Sequence, residues 1–143
     1  VGVVGRRPRR AIGVLGAGER STLQEPRVGR VVEHDVDHAA LSALIGEEVS
    51  GEVVLDRSSS VTLATGDAFV ADPELRLALS MHADLVDMEG YAIARACERA
   101  GVECRMVKVV SDAADAEAGL TWKEQADRTA REIAAIVDVQ LSR

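Results

Sequence analysis

The sequence has few aromatic residues and no long apolar run. Only 2% of its 143 residues are aromatic, so aliphatic side chains must form most of the core. No stretch approaches the ~20 apolar residues of a transmembrane helix, and no apolar segment with a small-residue cleavage site follows the basic start. We therefore expect no membrane partner and no secretory signal. The length and the 47% hydrophobic, 29% charged balance fit one soluble domain.

The sequence also has no overall excess of positive charge. The net charge of −7 argues against binding to a phosphate backbone, so we expect no nucleic-acid partner. The charge is uneven, because the first 30 residues carry seven arginines and sum to +5 while the remainder sums to −12. Residues 1–29 show no sustained hydrophobic periodicity of a helix or a strand. We interpret them as an atypical Arg-rich segment and residues 30–143 as the domain.

Cysteine is scarce as well. Cys97 and Cys104 are too far apart for a CxxC motif and fall on different predicted elements. Without a secretory signal, free thiols in a reducing cytoplasm are favoured over a disulfide. We therefore expect a cytoplasmic location.

Hydrophobic periodicity predicts strands that alternate with helices. The Asp72-Pro73-Glu74 start predicts a helix to about Met81, and a capping box at Thr121 predicts a terminal amphipathic helix. The other predicted helices are Ala39–Ile45, with Leu41, Leu44 and Ile45 on one face, and Glu89–Ala100, with Ile93, Cys97 and Ala100 on one face. The predicted strands are Arg30–Val36, Gly51–Leu55, Val61–Thr65, Leu85–Met88 and the Val-rich, doubly buried run Cys104–Val110. This order predicts an α/β fold with an at least partly parallel sheet.

Acidic residues follow three of these strands. Asp67 follows the first, Asp87 and Glu89 end or follow the second, and Asp112 follows the third. Any one acid could simply cap a helix or face water. Because ligands bind at the carboxyl ends of strands in open α/β sheets, three together indicate a candidate site.

The amino-acid sequences around these acids are more specific for a protein family than the charges alone. Thr65-Gly66-Asp67-Ala68-Phe69, Val86-Asp87-Met88-Glu89-Gly90 and Val110-Ser111-Asp112-Ala113-Ala114-Asp115 resemble the purine nucleoside phosphorylase and nucleosidase superfamily. The resemblance is greatest to the methylthioadenosine/S-adenosylhomocysteine nucleosidases and covers about Val28–Val139. It implies a three-layer αβα fold with a mixed sheet, hydrolysis of a purine nucleoside with release of adenine, no cofactor, and a homodimer.

On the ribose side, the resemblance implies that Glu89 accepts hydrogen bonds from the ribose 2′ and 3′ hydroxyls. An ionised carboxylate accepts strong hydrogen bonds and stabilises the positive charge that develops on the sugar. Met88 is expected to pack against the sugar, and Asp87 belongs to the same expected substrate-binding set.

On the base side, the resemblance makes Asp112 the catalytic proton donor to the purine. Protonation improves the leaving group, provided that Asp112 has a raised pKa in a partly desolvated pocket. Ser111 is expected to hold this carboxyl, Phe69 to stack on the purine, and Val70 to bond the base through its backbone. An ordinary core ring is the alternative for Phe69.

Two further features have open interpretations. Lys108 interrupts an otherwise apolar run, so we expect it to pair with Asp87 or another rim acid; an edge lysine with its ammonium in water is the alternative. His34 and His38 would share a face only on a helix, so we expect no metal site, and a substrate-side role for His34 rests on resemblance alone. Neither GxGxxG nor GxxxxGK[ST] occurs.

The resemblance begins in the middle of the family sequence. The preceding half would supply the first strands, the glutamate that activates water and the phosphate-binding arginines of phosphorylases. We therefore expect little hydrolysis by this chain alone. The alternatives are a phosphorolytic enzyme, a futalosine-type nucleosidase, or a non-catalytic nucleoside-binding remnant.

Overall fold

A computed structural model describes residues 2–3, 28–106, 108–116 and 118–141. Five strands form one mixed sheet in the order β1-β5-β4-β2-β3. The central strands β2, β4 and β5 are parallel, whereas β1 and β3 pair antiparallel with their neighbours. The strands are β1 (Gly2–Val3), β2 (Val28–Glu33), β3 (Glu52–Val54), β4 (Val61–Thr65) and β5 (Leu85–Asp87). The helices are α1 (His38–Ile45), α2 (Pro73–Leu79), α3 (Gly90–Ala100) and α4 (Ala118–Leu141).

The two faces of the sheet carry separate apolar clusters. Successive side chains of a strand point to opposite faces, so Leu63 lies on the α3 side and Ala64 on the α2 side. The α3-side cluster contains Val28, Val31, Val53, Leu63, Leu85, Tyr91, Ala94 and Met106. The α2-side cluster contains Ala64, Val70, Leu79, Ala83, Val86 and Ala114. The predicted αβα layering is confirmed.

Locally encoded features agree with the sequence predictions. Strand β4 has the predicted bounds, and the Asp72 carboxylate accepts a hydrogen bond from the Glu74 N–H at 2.8 Å to cap α2. Gly46 and Gly101 end their helices in the left-handed conformation, with φ of 76° and 65°.

The predicted strand Cys104–Val110 is wrong within the described residues. Residues 104–106 and 108–110 form no strand, and Val107 lies outside the described part. Strand β5 already pairs with β4 on one edge and with β1 on the other, so it offers this segment no open edge. Instead, Met106 is buried in the α3-side cluster, and Cys104 and Val110 pack against it.

The predicted helix faces are also wrong. In α3, Tyr91 and Ala94 point inward, while Ile93 is 50% exposed. The reason is a long-range hydrogen bond: the Tyr91 N–H donates to Thr65 Oγ1 at 3.0 Å and fixes the rotation of the helix. In α1, Leu44 and Ile45 are exposed.

The terminal helix begins earlier than predicted. Helix α4 starts at Ala118, so Thr121 lies inside it and does not act as the N-cap. Among the described side chains of α4, that of Thr129 is buried. Its hydroxyl donates to the carbonyls of Gln125 and Ala126.

Candidate functional site

The carboxyl ends of the parallel strands lie side by side at one edge of the sheet, which we call the rim. Thr65, the last residue of β4, is the register partner of Glu33 in β2 and of Asp87 in β5. The Gly66 N–H donates to the Asp87 carbonyl at 3.2 Å just beyond the strands. Two of the three sequence motifs are therefore adjacent in space.

The Asp87 carboxylate is the centre of a buried polar network. Its side chain is only 4% exposed and accepts hydrogen bonds from the Thr65 hydroxyl at 2.6 Å and the Gly90 N–H at 3.1 Å. The Lys108 ammonium lies 2.5 Å from Asp87 Oδ2, with a side chain that is 18% exposed. The predicted pairing of Lys108 with Asp87 is confirmed, and the alternative of a solvated edge lysine is excluded.

This network leaves Glu89 with no capping role. Glu89 occupies the N-cap position of α3, yet its side chain makes no capping hydrogen bond. The Gly90 N–H donates to Asp87, and the Tyr91 N–H donates to the Thr65 hydroxyl oxygen. Glu89 is exposed at the rim, and the neighbouring Met88 is 42% exposed. A helix N-terminus also favours negative charge. The carboxylate of Glu89 is therefore exposed to solvent at the N-terminus of α3.

Asp112 lies in a tight, buried turn outside the strands of the sheet. It is 8% exposed, and its two oxygens accept from the Ser111 hydroxyl at 2.7 Å and the Ala114 N–H at 2.9 Å. Ala114 is fully buried with a φ of 52°, a left-handed conformation that alanine rarely adopts.

The loop after β4 approaches the same turn. Val70 is buried in the α2-side cluster together with Ala114, which brings this loop and the Asp112 turn together. Phe69 is 48% exposed, so it is not an ordinary core ring. The Arg76 guanidinium of α2 donates to the Ala113 carbonyl at 2.9 Å and joins the two segments a second time.

The loop after β2 completes the described rim. The His34 ring lies against Gly66, where an added Cβ would come within 2.3 Å of Nε2. This Nε2 is buried, and it has no hydrogen-bond partner among the described residues. His38 turns away and bonds Glu33 at 2.7 Å. Within the part of the chain that the structure describes, no three His, Cys, Asp or Glu side chains are grouped to hold a metal ion.

Two contributors to the site were not identified from the sequence. Thr65 bonds both Asp87 and the first turn of α3. The only sequence feature that could have indicated this role is a polar residue at the end of a buried strand, 22 positions before Asp87. Arg76 carried no signal, because its acceptor is a backbone carbonyl 37 residues away.

None of the helices described here combines the length and apolar character needed to cross a membrane.

Comparison with known proteins finds similar sequences and structures. The sequence profile of the phosphorylase superfamily matches residues 8–141. An aminodeoxyfutalosine nucleosidase of Helicobacter pylori (strain J99) is 28% identical over 121 residues, covering 71% of this chain and 53% of that protein. A 5′-methylthioadenosine/S-adenosylhomocysteine nucleosidase of Geobacillus kaustophilus is 29% identical over 134 residues, covering 78% of this chain and 57% of that protein.

The fold matches as well. A crystal structure of the 5′-methylthioadenosine/S-adenosylhomocysteine nucleosidase from Helicobacter pylori, with butyl-thio-DADMe-Immucillin-A, superposes with a TM-score of 0.62 at 27% identity. That alignment covers 78% of this chain and 59% of the other. The chain spans about half the length of the curated relatives it matches.

Proposed function

The chain belongs to the phosphorylase superfamily, and from this premise we propose that it acts in the hydrolysis of the N-glycosidic bond of a purine nucleoside. The proposed substrate is of the methylthioadenosine/S-adenosylhomocysteine type, and the product is adenine. Relatives named as nucleosidases for these compounds support the choice.

The observation that carries the proposal is the exposed Glu89 carboxylate beside a buried, fully bonded Asp87. With Asp87 capping α3, Glu89 is available to accept hydrogen bonds from the ribose 2′ and 3′ hydroxyls. The same negative charge stabilises the oxocarbenium-like sugar as the bond to the base breaks. Met88, exposed next to it, provides an apolar surface for the sugar.

In this proposal the base lies against the Asp112 turn. Asp112 faces the purine and delivers a proton to it, while Ser111 and the Ala114 N–H hold the carboxyl in place. The half-exposed Phe69 ring stacks on the purine, and the backbone of Val70 bonds its edge.

Calorimetric titration of the chain with methylthioadenosine tests the proposal. Binding is the primary readout, with adenine release followed by chromatography, because the chain spans about half the length of its relatives. We expect Glu89→Gln to weaken binding about 10- to 100-fold through loss of charge-assisted hydrogen bonds. Asp112→Asn should abolish any adenine release and affect binding less.

Exposed Glu74 on α2 is a matched control, and Glu74→Gln should leave binding unchanged. A chain that binds no purine nucleoside, or a Glu89→Gln variant that binds as tightly as the parent, would overturn the proposal.

A second candidate substrate is aminodeoxyfutalosine. Two relatives from Helicobacter pylori are named aminodeoxyfutalosine nucleosidases. Competition between this compound and methylthioadenosine ranks the two. Phosphate-dependent turnover would favour phosphorolysis, and binding without turnover would favour the non-catalytic alternative.

Three predictions from the sequence remain proposals: a domain at residues 30–143, a homodimer and a cytoplasmic location. Limited proteolysis tests the domain boundary, sedimentation equilibrium tests the dimer, and cell fractionation tests the location.

A further inference from the structure

The peptide between Ala113 and Ala114 is held at both ends. Its carbonyl oxygen accepts a hydrogen bond from Nε of Arg76 in α2 at 2.9 Å, and its N–H, on Ala114, donates to Asp112 Oδ1 at 2.9 Å. One peptide plane therefore lies between a cation and the carboxylate of the proposed proton donor. The orientation of this peptide decides whether the carboxylate keeps the Ala114 N–H as a partner.

The backbone at this peptide is strained. Ala114 has a φ of 52°, in the left-handed region that residues with a Cβ rarely adopt. Such a conformation persists only where the surrounding contacts fix it. Those contacts are the burial of Ala114 in the α2-side cluster, which also contains Leu79 of α2, and the two hydrogen bonds of its peptide. The bond from Arg76 is the long-range one of the two, since its donor lies 37 residues away.

We propose that Arg76 is a positioning residue for Asp112. By holding the Ala113 carbonyl, it keeps the Ala114 N–H directed at the Asp112 carboxylate and so fixes that carboxylate. A guanidinium also polarises the peptide that it bonds, which strengthens the N–H at the other end of the peptide as a donor. The inference rests on the role proposed for Asp112, and Arg76 acts through Asp112 rather than on the nucleoside.

Two substitutions separate the hydrogen bond of Arg76 from its charge. Counted along the side chain, the amide nitrogen of glutamine occupies the position of arginine Nε, so Arg76→Gln keeps a donor for the Ala113 carbonyl and loses the charge. Arg76→Met keeps a similar length and has no donor. Exposed Arg99 is the matched control, because Arg99→Met is the same change in α3, on the opposite face of the sheet.

Hydrogen exchange followed by NMR on the full chain measures the state of the turn without any ligand. We expect the Ala114 N–H to exchange at least about tenfold faster in Arg76→Met than in the parent, relative to the amides of β4, whose exchange reports global unfolding. In Arg76→Gln and Arg99→Met it should stay within about threefold of the parent. The proposal is wrong if Ala114 exchanges equally in Arg76→Met and the parent, or as fast in Arg76→Gln as in Arg76→Met.

A measurement on the unsubstituted chain covers the case in which Arg76→Met fails to fold. The Nε–H of Arg76, bonded to the Ala113 carbonyl, should exchange at least about tenfold more slowly than the Nε–H of exposed Arg99. Equal rates for the two side chains would contradict the proposal.

Calorimetric titration with methylthioadenosine tests the consequence for the site. Groups that are already in position bind a ligand without an ordering cost, so Arg76→Met should bind the nucleoside about three- to tenfold more weakly, and Arg76→Gln within about twofold of the parent. If the parent binds no purine nucleoside, the proposed function fails, and the Ala114 exchange alone decides the role of Arg76. If Arg76→Met speeds Ala114 exchange but binds the nucleoside as tightly as the parent, Arg76 is not a positioning residue for the site and the proposal is overturned.

Discussion

Replacing Lys108 by methionine removes the cation from the buried network and keeps a side chain of similar length. The Asp87 carboxylate then remains 96% buried without its ionic partner, since its side chain is 4% exposed. The Thr65 hydroxyl and the Gly90 N–H still donate to it, at 2.6 and 3.1 Å. The variant therefore isolates the effect of an uncompensated charge.

The magnitude follows from the geometry. Removing one partner of a buried ion pair costs about 3–5 kcal/mol, whereas the intact pair contributes little net stability after desolvation. The two remaining hydrogen bonds and the 18% exposure of Lys108 reduce this cost. We expect Lys108→Met to lower the free energy of unfolding by about 2–3 kcal/mol at pH 7.

Urea unfolding followed by far-ultraviolet circular dichroism measures this loss. The double variant Lys108→Met/Asp87→Asn should recover at least half of it, because the asparagine oxygen accepts the same hydrogen bonds without charge. Arg105→Met is the control: the Arg105–Glu103 pair, at 2.7 Å, lies on the surface, and we expect no measurable change. If Lys108→Met unfolds like the parent, or if the double variant is no more stable than the single one, the assignment of an unpaired buried charge is wrong.

Three further predictions concern stability and use the same unfolding measurement. Gly29→Ala would bring a methyl group within 2.2 Å of the Ser59 backbone oxygen, so we expect a loss of at least about 2 kcal/mol. Asp72→Ala removes the cap of α2 and should cost about 1 kcal/mol, with Asp72→Asn costing clearly less. Tyr91→Phe removes a hydroxyl that donates to a backbone carbonyl at 2.5 Å, which should cost about 1 kcal/mol; an unchanged midpoint would show that this hydrogen bond contributes no net stability.

The features that the sequence predicted well are determined by near neighbours in the chain. The Asp72-Pro73 start of α2 and the left-handed Gly101 each need only a few adjacent residues. The positions of Asp67, Asp87 and Glu89 were also predictable, because β4 and β5 are recognisable as strands and parallel strands end at the same edge, whereas Asp112 follows no strand.

The features that failed depend on distant residues. The apolar run after Cys104 looks like a buried strand, but periodicity carries no information about whether a neighbouring edge is open. The rotation of α3 is fixed by the Tyr91 N–H bonding to Thr65, 26 residues away, so the apolar stripe alone selected the wrong face. The pairing of Lys108 with Asp87, in contrast, was predicted correctly although the two residues are 21 positions apart, because a buried ammonium needs an acidic partner.

The alternation of the two sheet faces restricts how this sequence can change in length. Leu63 and Thr65 point to the α3 side while Ala64 points to the α2 side, and in β5 Leu85 and Val86 divide in the same way. Deleting one residue within β4 would move a hydroxyl into an apolar cluster and leave an aliphatic side chain against the buried carboxylate. Insertions and deletions that persist among related sequences are therefore expected in the connecting loops, while the spacing inside the central strands stays constant.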